Sequence, residues 1–355
     1  MPMLDTSALL TNSQTTTRYA LIDTHTHFDA PVFDTDRIVQ AQSAYENGVE
    51  HLILVGYLHR HFERLYEVKN SLDSQQLLNT ANADSSNADL LAVKSVPKTH
   101  IALGLHPFYI EQHNEAHLAT MAKMLDEQRP IAIGEIGLDT FTVEMKEPDI
   151  FAKQQRFFIA QLDMAVAHQL PVMLHIRKAH ADALAILKAH AYDANKLGGI
   201  AHSFSGGEQE AKAFVKLGFK LGVTGQITNP NAKKLRRAIQ AAVAEYGINC
   251  LVIETDCPDM TPIMCQTKGS SLSALDYDNS QGQSPNEQHY SHGDKADYNA
   301  TQVYDHNVPG NLPWVLASLS KLLKVDKALL AQQFWQNSSD SLAQSWNYPL
   351  SNDEL

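Results

Sequence analysis

The chain has few cysteines and no long apolar run. Its 355 residues contain three cysteines, Cys250, Cys257 and Cys265, which cannot all pair and show no Cys-x-x-Cys spacing. A reduced, intracellular protein is therefore the simplest interpretation. No run approaches the length needed to span a bilayer, and the polar segment 1–19 lacks the apolar core of a signal peptide. We expect a cytoplasmic protein without a membrane segment.

The chain also lacks an excess of positive charge. It has 28 lysines and arginines against 40 aspartates and glutamates, which gives a formal net charge of −12. A broad positive surface that could hold a long nucleic acid through its phosphates is therefore not expected. Any nucleic-acid ligand would have to be held locally, near a chain end.

A short segment that is rich in metal-binding side chains follows the apolar residues Ala20–Ile22. It contains Asp23, His25 and His27 at alternate positions, and on a strand these side chains share one face. Neutral imidazoles bind a metal ion without adding negative charge. The alternative is a pair of solvent-facing histidines in a chain that has 17 of them.

Four further residues of the same chemical kind follow apolar runs that are typical of buried strands. They are Glu135, His175, His202 and Asp256. Between such runs lie amphipathic stretches that predict helices, including 151–169 and 208–217. The repeat fits either an open parallel sheet or a closed barrel, but distant strand ends meet over one mouth only in a barrel. We therefore predict an α/β fold, a (β/α)8 TIM barrel.

Six segments in order resemble the TatD family of metal-dependent hydrolases, within the amidohydrolase superfamily. They are Asp23–His27, Gly104–Pro107, Gly134–Asp139, Leu174–Arg177, His202–Gly206 and Glu254–Pro258. The resemblance implies a barrel with two divalent metal ions and a hydrolase best known for phosphodiester cleavage, including 3′-to-5′ exonuclease activity on DNA in some members. Zinc is the first expectation because of the several histidines, with Mg²⁺ or Mn²⁺ as alternatives.

The resemblance also implies a role for each strand-end residue. His25, His27 and Asp256 would hold one metal, while Glu135 would bridge to a second metal held by His175 and His202. Asp256 would in addition accept the proton of the attacking water, so Asp256 and Glu135 are the expected catalytic residues. The alternative for His175 and His202 is that each is a hydrogen-bonded core histidine.

Three residues are candidates for substrate contacts, namely His106, Arg177 and Asn307. His106 ends a predicted strand, and the guanidinium of Arg177 matches a phosphate oxygen pair, although a salt bridge at the rim is the alternative for Arg177. Family members usually carry an arginine beside the asparagine that matches Asn307, whereas this chain has His306. Asp23 could orient an imidazole or accept internal hydrogen bonds, and spacing does not separate these two roles.

We expect a single barrel domain over residues 20–349, preceded by the leader 1–19 and followed by a tail, 350–355. Two polar stretches, at about 70–98 and 267–301, are interpreted as insertions. The first is expected to be decoration, while the second, which follows Asp256, could be decoration or a substrate lid. No segment indicates a stable protein partner.

Three functions remain open at this stage. The first is a two-metal phosphodiesterase that acts on nucleic-acid ends or on a smaller phosphate ester. The second is a hydrolase of carboxylic esters or amides, such as an aminoacyl-tRNA deacylase, because the same activated water attacks a carbonyl. The third is a non-catalytic metal-binding scaffold, which an open ligand set disfavours because structural zinc sites are closed by four ligands.

Overall fold

The computed structural model describes residues 18–83, 95–266 and 306–349. The tail, the second predicted insertion and all but the last two residues of the predicted leader therefore lie outside the described residues. The first predicted insertion begins inside a helix, which continues to Ala83, and a strand resumes at Lys98. Residues 84–94 of that insertion are outside the described part of the chain.

Eight parallel strands form the sheet, and each strand pairs with the next one along the chain. They are β1 (Leu21–Thr26), β2 (Val49–Val55), β3 (Lys98–Leu103), β4 (Ala132–Asp139), β5 (Val172–Arg177), β6 (Ile200–Ala201), β7 (Lys220–Val223) and β8 (Leu251–Ile253). The segment after β8 returns to β1, because the Asp256 amide donates to the His25 carbonyl at 2.9 Å and the His27 amide donates to the Cys257 carbonyl at 2.9 Å. The predicted (β/α)8 barrel is confirmed.

Helices alternate with the strands, as parallel neighbours require. In chain order they are α1 (Arg37–Glu46), α2 (Phe62–Ala83), α3 (Glu115–Gln128), α4 (Pro148–His168), α5 (His180–Ala189), α6 (Ala194–Leu197), α7 (Glu208–Lys216), α8 (Lys233–Tyr246), α9 (Leu312–Leu323) and α10 (Lys327–Ser341). The helices predicted at 151–169 and 208–217 correspond to α4 and α7. Among the described residues, no helix is both long and apolar enough to cross a membrane.

The strands are buried on both faces, which places the polar strand ends in an otherwise apolar molecule. On β2, Ile53 and Val55 pack in one apolar cluster, whereas Leu52 and Leu54 pack in a second cluster that includes helix residues such as Phe157. Alternate residues of a strand thus enter different layers. Because both layers are filled with apolar side chains, polar groups gather where the strands end.

Candidate metal centre

Seven metal-competent side chains converge at the carboxyl ends of the strands. They are His25, His27, His106, Glu135, His175, His202 and Asp256, from β1, β4 and β5 or from the segments that follow β1, β3, β6 and β8. All are buried except His27 and His175, which are half-buried. The sequence motifs that lie far apart in the chain are therefore brought together, as predicted from the strand-end pattern.

The carboxylate of Glu135 lies at the centre and faces two groups of residues. Its Oε2 atom lies 3.3 Å from His25 Nε2 and 3.5 Å from His27 Nε2. Asp256 Oδ1 lies 3.8 Å from each of these two nitrogens. We call His25, His27 and Asp256, together with Glu135 Oε2, the first pocket.

The other oxygen of Glu135 faces three different imidazoles. Its Oε1 atom lies 2.7 Å from His175 Nδ1, 3.2 Å from His202 Nε2 and 3.3 Å from His106 Nε2. We call His106, His175 and His202, together with Glu135 Oε1, the second pocket. His202 borders both pockets, because its Nε2 atom also lies 3.8 Å from Asp256 Oδ2.

The residues of the first pocket fit a divalent cation. Both ring nitrogens of His25 and the Oε2 atom of Glu135 are buried, and none has a hydrogen-bond partner among the described residues. Buried polar atoms are normally paired, and a cation between His25 Nε2 and Glu135 Oε2 would give both of these atoms a partner. Imidazole nitrogens and a carboxylate oxygen that point at one another are ligands suited to zinc and other transition metals.

Three histidines have their rings oriented in a manner typical of metal ligands, with one nitrogen toward Glu135 and the far nitrogen toward a hydrogen-bond acceptor. The pairs are His27 Nδ1 with the Val55 carbonyl at 3.0 Å, His175 Nε2 with Asp139 at 3.0 Å, and His202 Nδ1 with Glu254 at 3.1 Å. Burial opposes protonation of these rings, but the surrounding carboxylates raise the pKa of His27 and His175 to about 9 and that of His202 well above its usual range. A bound metal would replace the proton on the near nitrogen, while the far nitrogen would still donate to its acceptor.

The charges at the centre depend on burial and on the histidines. Burial opposes ionisation of Glu135, but the neighbouring histidines, His106 first, hold its pKa well below its usual range. Burial raises the pKa of Asp256 to about 7. Burial and the adjacent His175 lower the pKa of His106 to about 4. Glu135 is therefore ionised and His106 is neutral near pH 7.

Several residues that hold the centre in place were not singled out in the sequence. Asp139 and Glu254 are the carboxylates that accept from His175 and His202. Gln154 on α4 holds Asp139, because its side chain accepts from the Asp139 amide at 2.8 Å and donates to the Asp139 carbonyl at 2.9 Å. Such outer partners orient the residues that contact a metal.

Asp23 has a structural role among the two that the spacing left open. Its carboxylate accepts from the amide and the hydroxyl of Thr255, and more weakly from the His25 amide at 3.4 Å. It therefore joins β1 to the segment after β8 through internal hydrogen bonds and does not bond to an imidazole of the centre.

The predicted substrate residues differ in where they lie. Arg177 is half-buried at the end of β5, and its guanidinium lies over the ring of Phe141, 3.5 Å from the ring centroid. Asn307 is fully buried, and its side chain donates to the Thr255 carbonyl at 2.9 Å and accepts from Asn311 at 2.9 Å. This position does not support the predicted substrate contact of Asn307, because its amide holds the segment after β8 instead.

The comparisons with known proteins agree with this geometry. A sequence model of the family described as TatD related DNase matches residues 22–342. The uncharacterized metal-dependent hydrolase YjjV of Escherichia coli is 36% identical over 243 residues, which cover 67% of this chain and 80% of YjjV. The 3'-5' ssDNA/RNA exonuclease TatD of a Pantoea strain is 28% identical over 68% of this chain and 81% of its own length.

A solved structure supports the same relationship. The crystal structure of YjjV, a TatD homologue from Escherichia coli, superposes with a TM-score of 0.64 and 29% sequence identity, and covers 90% of this chain and 97% of YjjV. The fold, the family match across the barrel and the clustered metal-competent residues agree. The chain belongs to the TatD-related DNase family and is a metal-dependent hydrolase of that type.

Proposed function

We propose that this protein is a two-metal phosphodiesterase that acts on single-stranded nucleic-acid ends. The observation that carries the proposal is the division of the Glu135 carboxylate, whose two oxygens face two separate groups of imidazoles. A carboxylate in this position can bridge two cations. Paired divalent cations activate a water molecule and stabilise both the attacking and leaving oxygens of an in-line displacement.

Each pocket offers a set of ligands for one cation. His25, His27 and Asp256 would hold the first cation with Glu135 Oε2, while His175 and His202 would hold the second with Glu135 Oε1. The histidines favour zinc, and Mn²⁺ or Mg²⁺ are the alternatives to test.

Asp256 is the proposed proton acceptor. It follows β8 at the open end of the barrel, and its two oxygens lie 3.8 Å from ring nitrogens of His25 and His202. A carboxylate beside both pockets is within reach of a nucleophile placed between them. Its backbone is held by the hydrogen bond to His25, so its side chain starts from a fixed position.

Phe141 and Arg177 support a nucleic-acid substrate over a small ester. Phe141 follows Asp139 by two residues, and its amide donates to the Asp139 carboxylate at 2.7 Å. The Thr140 amide donates to the Arg177 carbonyl at 2.9 Å, which ties the two segments together. A guanidinium stacked on an aromatic ring offers both a phosphate contact and a flat surface for a base.

The net charge of −12 is consistent with an enzyme that holds only the end of a strand. Without a broad positive surface, phosphate contacts must come from a few residues and from the bound cations. The exonuclease names of several relatives point the same way.

The test is degradation of 5′-end-labelled single-stranded DNA and RNA from the 3′ end with Zn²⁺, Mn²⁺ or Mg²⁺. Stepwise shortening by the wild type is expected, together with its loss in Asp256→Asn. The control is Asp126→Asn, which removes an exposed carboxylate on α3. Metal-loaded protein that shortens neither polymer would contradict the proposed substrate, and a fully active Asp256→Asn would contradict the proposed proton acceptor.

A further inference from the structure

His106 lies in the second pocket but is oriented differently from the other histidines there. Its Nε2 atom lies 3.3 Å from Glu135 Oε1, and its far nitrogen, Nδ1, lies 3.0 Å from the backbone amide of Phe108. A backbone amide can only donate a hydrogen bond. The Nδ1 atom of His106 must therefore carry the lone pair, which leaves the proton of the neutral ring on Nε2.

The surroundings of His175 and His202 are different. Both nitrogens of each of these rings face carboxylate oxygens, with the far nitrogen near Asp139 or Glu254 and the near nitrogen near Glu135 Oε1. No backbone amide donates to either ring, so the near nitrogen is free to give up its proton and offer a lone pair to a metal. A ring nitrogen that carries a proton has no lone pair to offer a metal. Proximity alone groups His106 with Glu135 and His175 as possible ligands, but the hydrogen bond from Phe108 argues that His106 is a donor.

We propose that His106 is not a metal ligand but donates a hydrogen bond from Nε2 to a non-bridging oxygen of the scissile phosphate, with Gln161 and His113 as its positioning residues. The proposal rests on the proposed phosphodiesterase function for the identity of the acceptor. A neutral donor that is 8% exposed and fixed before substrate arrives suits the charge that develops on a phosphate in the transition state.

Gln161 on α4 holds the residue that precedes His106. It is buried, its Oε1 atom accepts from the Leu105 amide at 2.7 Å, and its Nε2 atom donates to the Leu105 carbonyl at 3.2 Å. The paired register of β3 with β4 runs only to Leu103. The glutamine amide therefore takes the place of a neighbouring strand for Leu105, where the chain leaves the sheet.

His113 holds the backbone of His106 from the other side. It is buried, and its Nε2 atom lies 3.2 Å from the His106 carbonyl, to which it donates. Lys153 on α4 donates to the His113 carbonyl at 2.7 Å. The segment from Leu105 to His113 is thus fixed to α4 at two points. These contacts hold the backbone of His106, and the hydrogen bond from the Phe108 amide holds its ring.

Metal content and turnover of two His106 variants test the donor role. His106→Gln can keep an N–H near the position of Nε2, whereas His106→Leu cannot. Both variants are expected to bind as many metal ions per chain as the wild type, measured by elemental analysis and by Co²⁺ titration. With single-stranded DNA, kcat is expected to fall by about 10²-fold or more in His106→Leu and to recover substantially in His106→Gln.

A second measurement requires neither turnover nor a correctly folded His106 variant. Long-range ¹H–¹⁵N NMR spectra of the metal-loaded wild type report which ring nitrogen carries the proton. A proton on Nε2 of His106 is expected, whereas a metal-bound Nε2 would overturn the inference. Loss of one metal ion from a folded His106→Leu protein would overturn it as well.

A matched pair of variants tests the positioning role of Gln161. Gln161→Met removes the bonds to Leu105 with little change in volume, and Gln155→Met alters a half-buried glutamine on the same helix. Gln161→Met is expected to lower kcat by about tenfold with little change in KM or metal content, while Gln155→Met stays at the wild-type level. Equal kcat in the two variants would overturn this role.

Failure of the proposed function is distinguishable from failure of this inference. If the wild type hydrolyses bis(p-nitrophenyl) phosphate but no nucleic acid, the proposed substrate is wrong, and the same His106 variants then test the donor on that ester. If kcat of His106→Leu equals the wild-type value on every substrate that the wild type hydrolyses, the inference is wrong while the function stands.

Discussion

The first and second pockets use similar side chains but are held in place differently. In the first pocket, His25 and His27 lie on β1 and immediately after it, and backbone hydrogen bonds tie them to Asp256 and Cys257. In the second pocket, His106, His175 and His202 come from three separate strand ends. Side chains hold these three, namely Gln161 for the segment of His106, Asp139 for His175 and Glu254 for His202.

The difference indicates how each pocket responds to substitution. Backbone bonds persist when a neighbouring side chain changes. Apart from Asp23 and Asn307, whose side chains hold the segment after β8, the first pocket is therefore vulnerable mainly through its own ligands. The second pocket depends on the side chains of Gln161, Asp139 and Glu254, and each of them can be removed by one substitution. We therefore expect the second pocket to be the one in which distant substitutions weaken metal binding.

The largest effect is expected for Glu135→Gln, because the two carboxylate oxygens of this residue belong to the two pockets. The substitution removes the negative charge from the centre and replaces one oxygen ligand with an amide group. We expect reduced metal content at both sites and a decrease in kcat of about 10³-fold or more. Elemental analysis and single-stranded DNA turnover measure this, and a variant with full metal content and full turnover would refute the central role of Glu135.

The next largest effect is expected for substitutions that act on only one of the two metal ions. Glu254→Gln and Asp139→Asn remove the charged acceptors of His202 and His175, which lowers the basicity of these rings and allows the wrong tautomer. Each variant is expected to bind one metal ion about 10- to 100-fold more weakly while the other ion binds as in the wild type. Metal titration followed by calorimetry resolves the two sites. Uniform weakening of both sites would contradict the separation of the pockets.

A smaller effect is expected for Gly222→Ala on β7. A Cβ atom at this position would lie 2.5 Å from each carboxylate oxygen of Glu254, so the carboxylate must move. Its hydrogen bond to His202 would then be strained but not abolished. We expect an intermediate loss of affinity for the same metal ion that Glu254→Gln affects, again by titration. A loss confined to the other ion would show that Glu254 does not act through His202.

The smallest effect is expected for Phe141→Leu, which keeps an apolar side chain but removes the ring beneath Arg177. Metal content and hydrolysis of bis(p-nitrophenyl) phosphate should be unchanged. KM for single-stranded DNA should rise several-fold, because base stacking on such platforms is worth about 1–3 kcal/mol. An equal change on both substrates would indicate a general disturbance of the Asp139 loop instead of a lost base contact.

The sequence alone predicted that the side chains of the first pocket lie close together, while their role as metal ligands stays a prediction. Alternate positions on one strand place His25 and His27 together, and β8 is adjacent to β1 once the barrel closes. The apolar runs also predicted the strand ends that carry Glu135, His175 and His202. These features follow from residue spacing and from the topology of parallel strands.

The supports of the second pocket could not be predicted in this way. A buried glutamine on an amphipathic helix has the same sequence pattern as an exposed one, so Gln154 and Gln161 carried no signal. Asp139 and Glu254 lie inside the family motifs, but spacing does not say which imidazole each one faces. The left-handed backbone of Asp256, with φ of 54°, is likewise a result of tertiary contacts.

Anomalous diffraction from crystals of the protein grown with Zn²⁺ or Mn²⁺ tests the central claim most directly. The account predicts two anomalous peaks on opposite sides of the Glu135 carboxylate, one bounded by His25, His27 and Asp256 and the other by His175 and His202. The Nε2 atom of His106 should lie outside the coordination distance of either peak. A single peak, or a second peak coordinated by His106, would contradict the account.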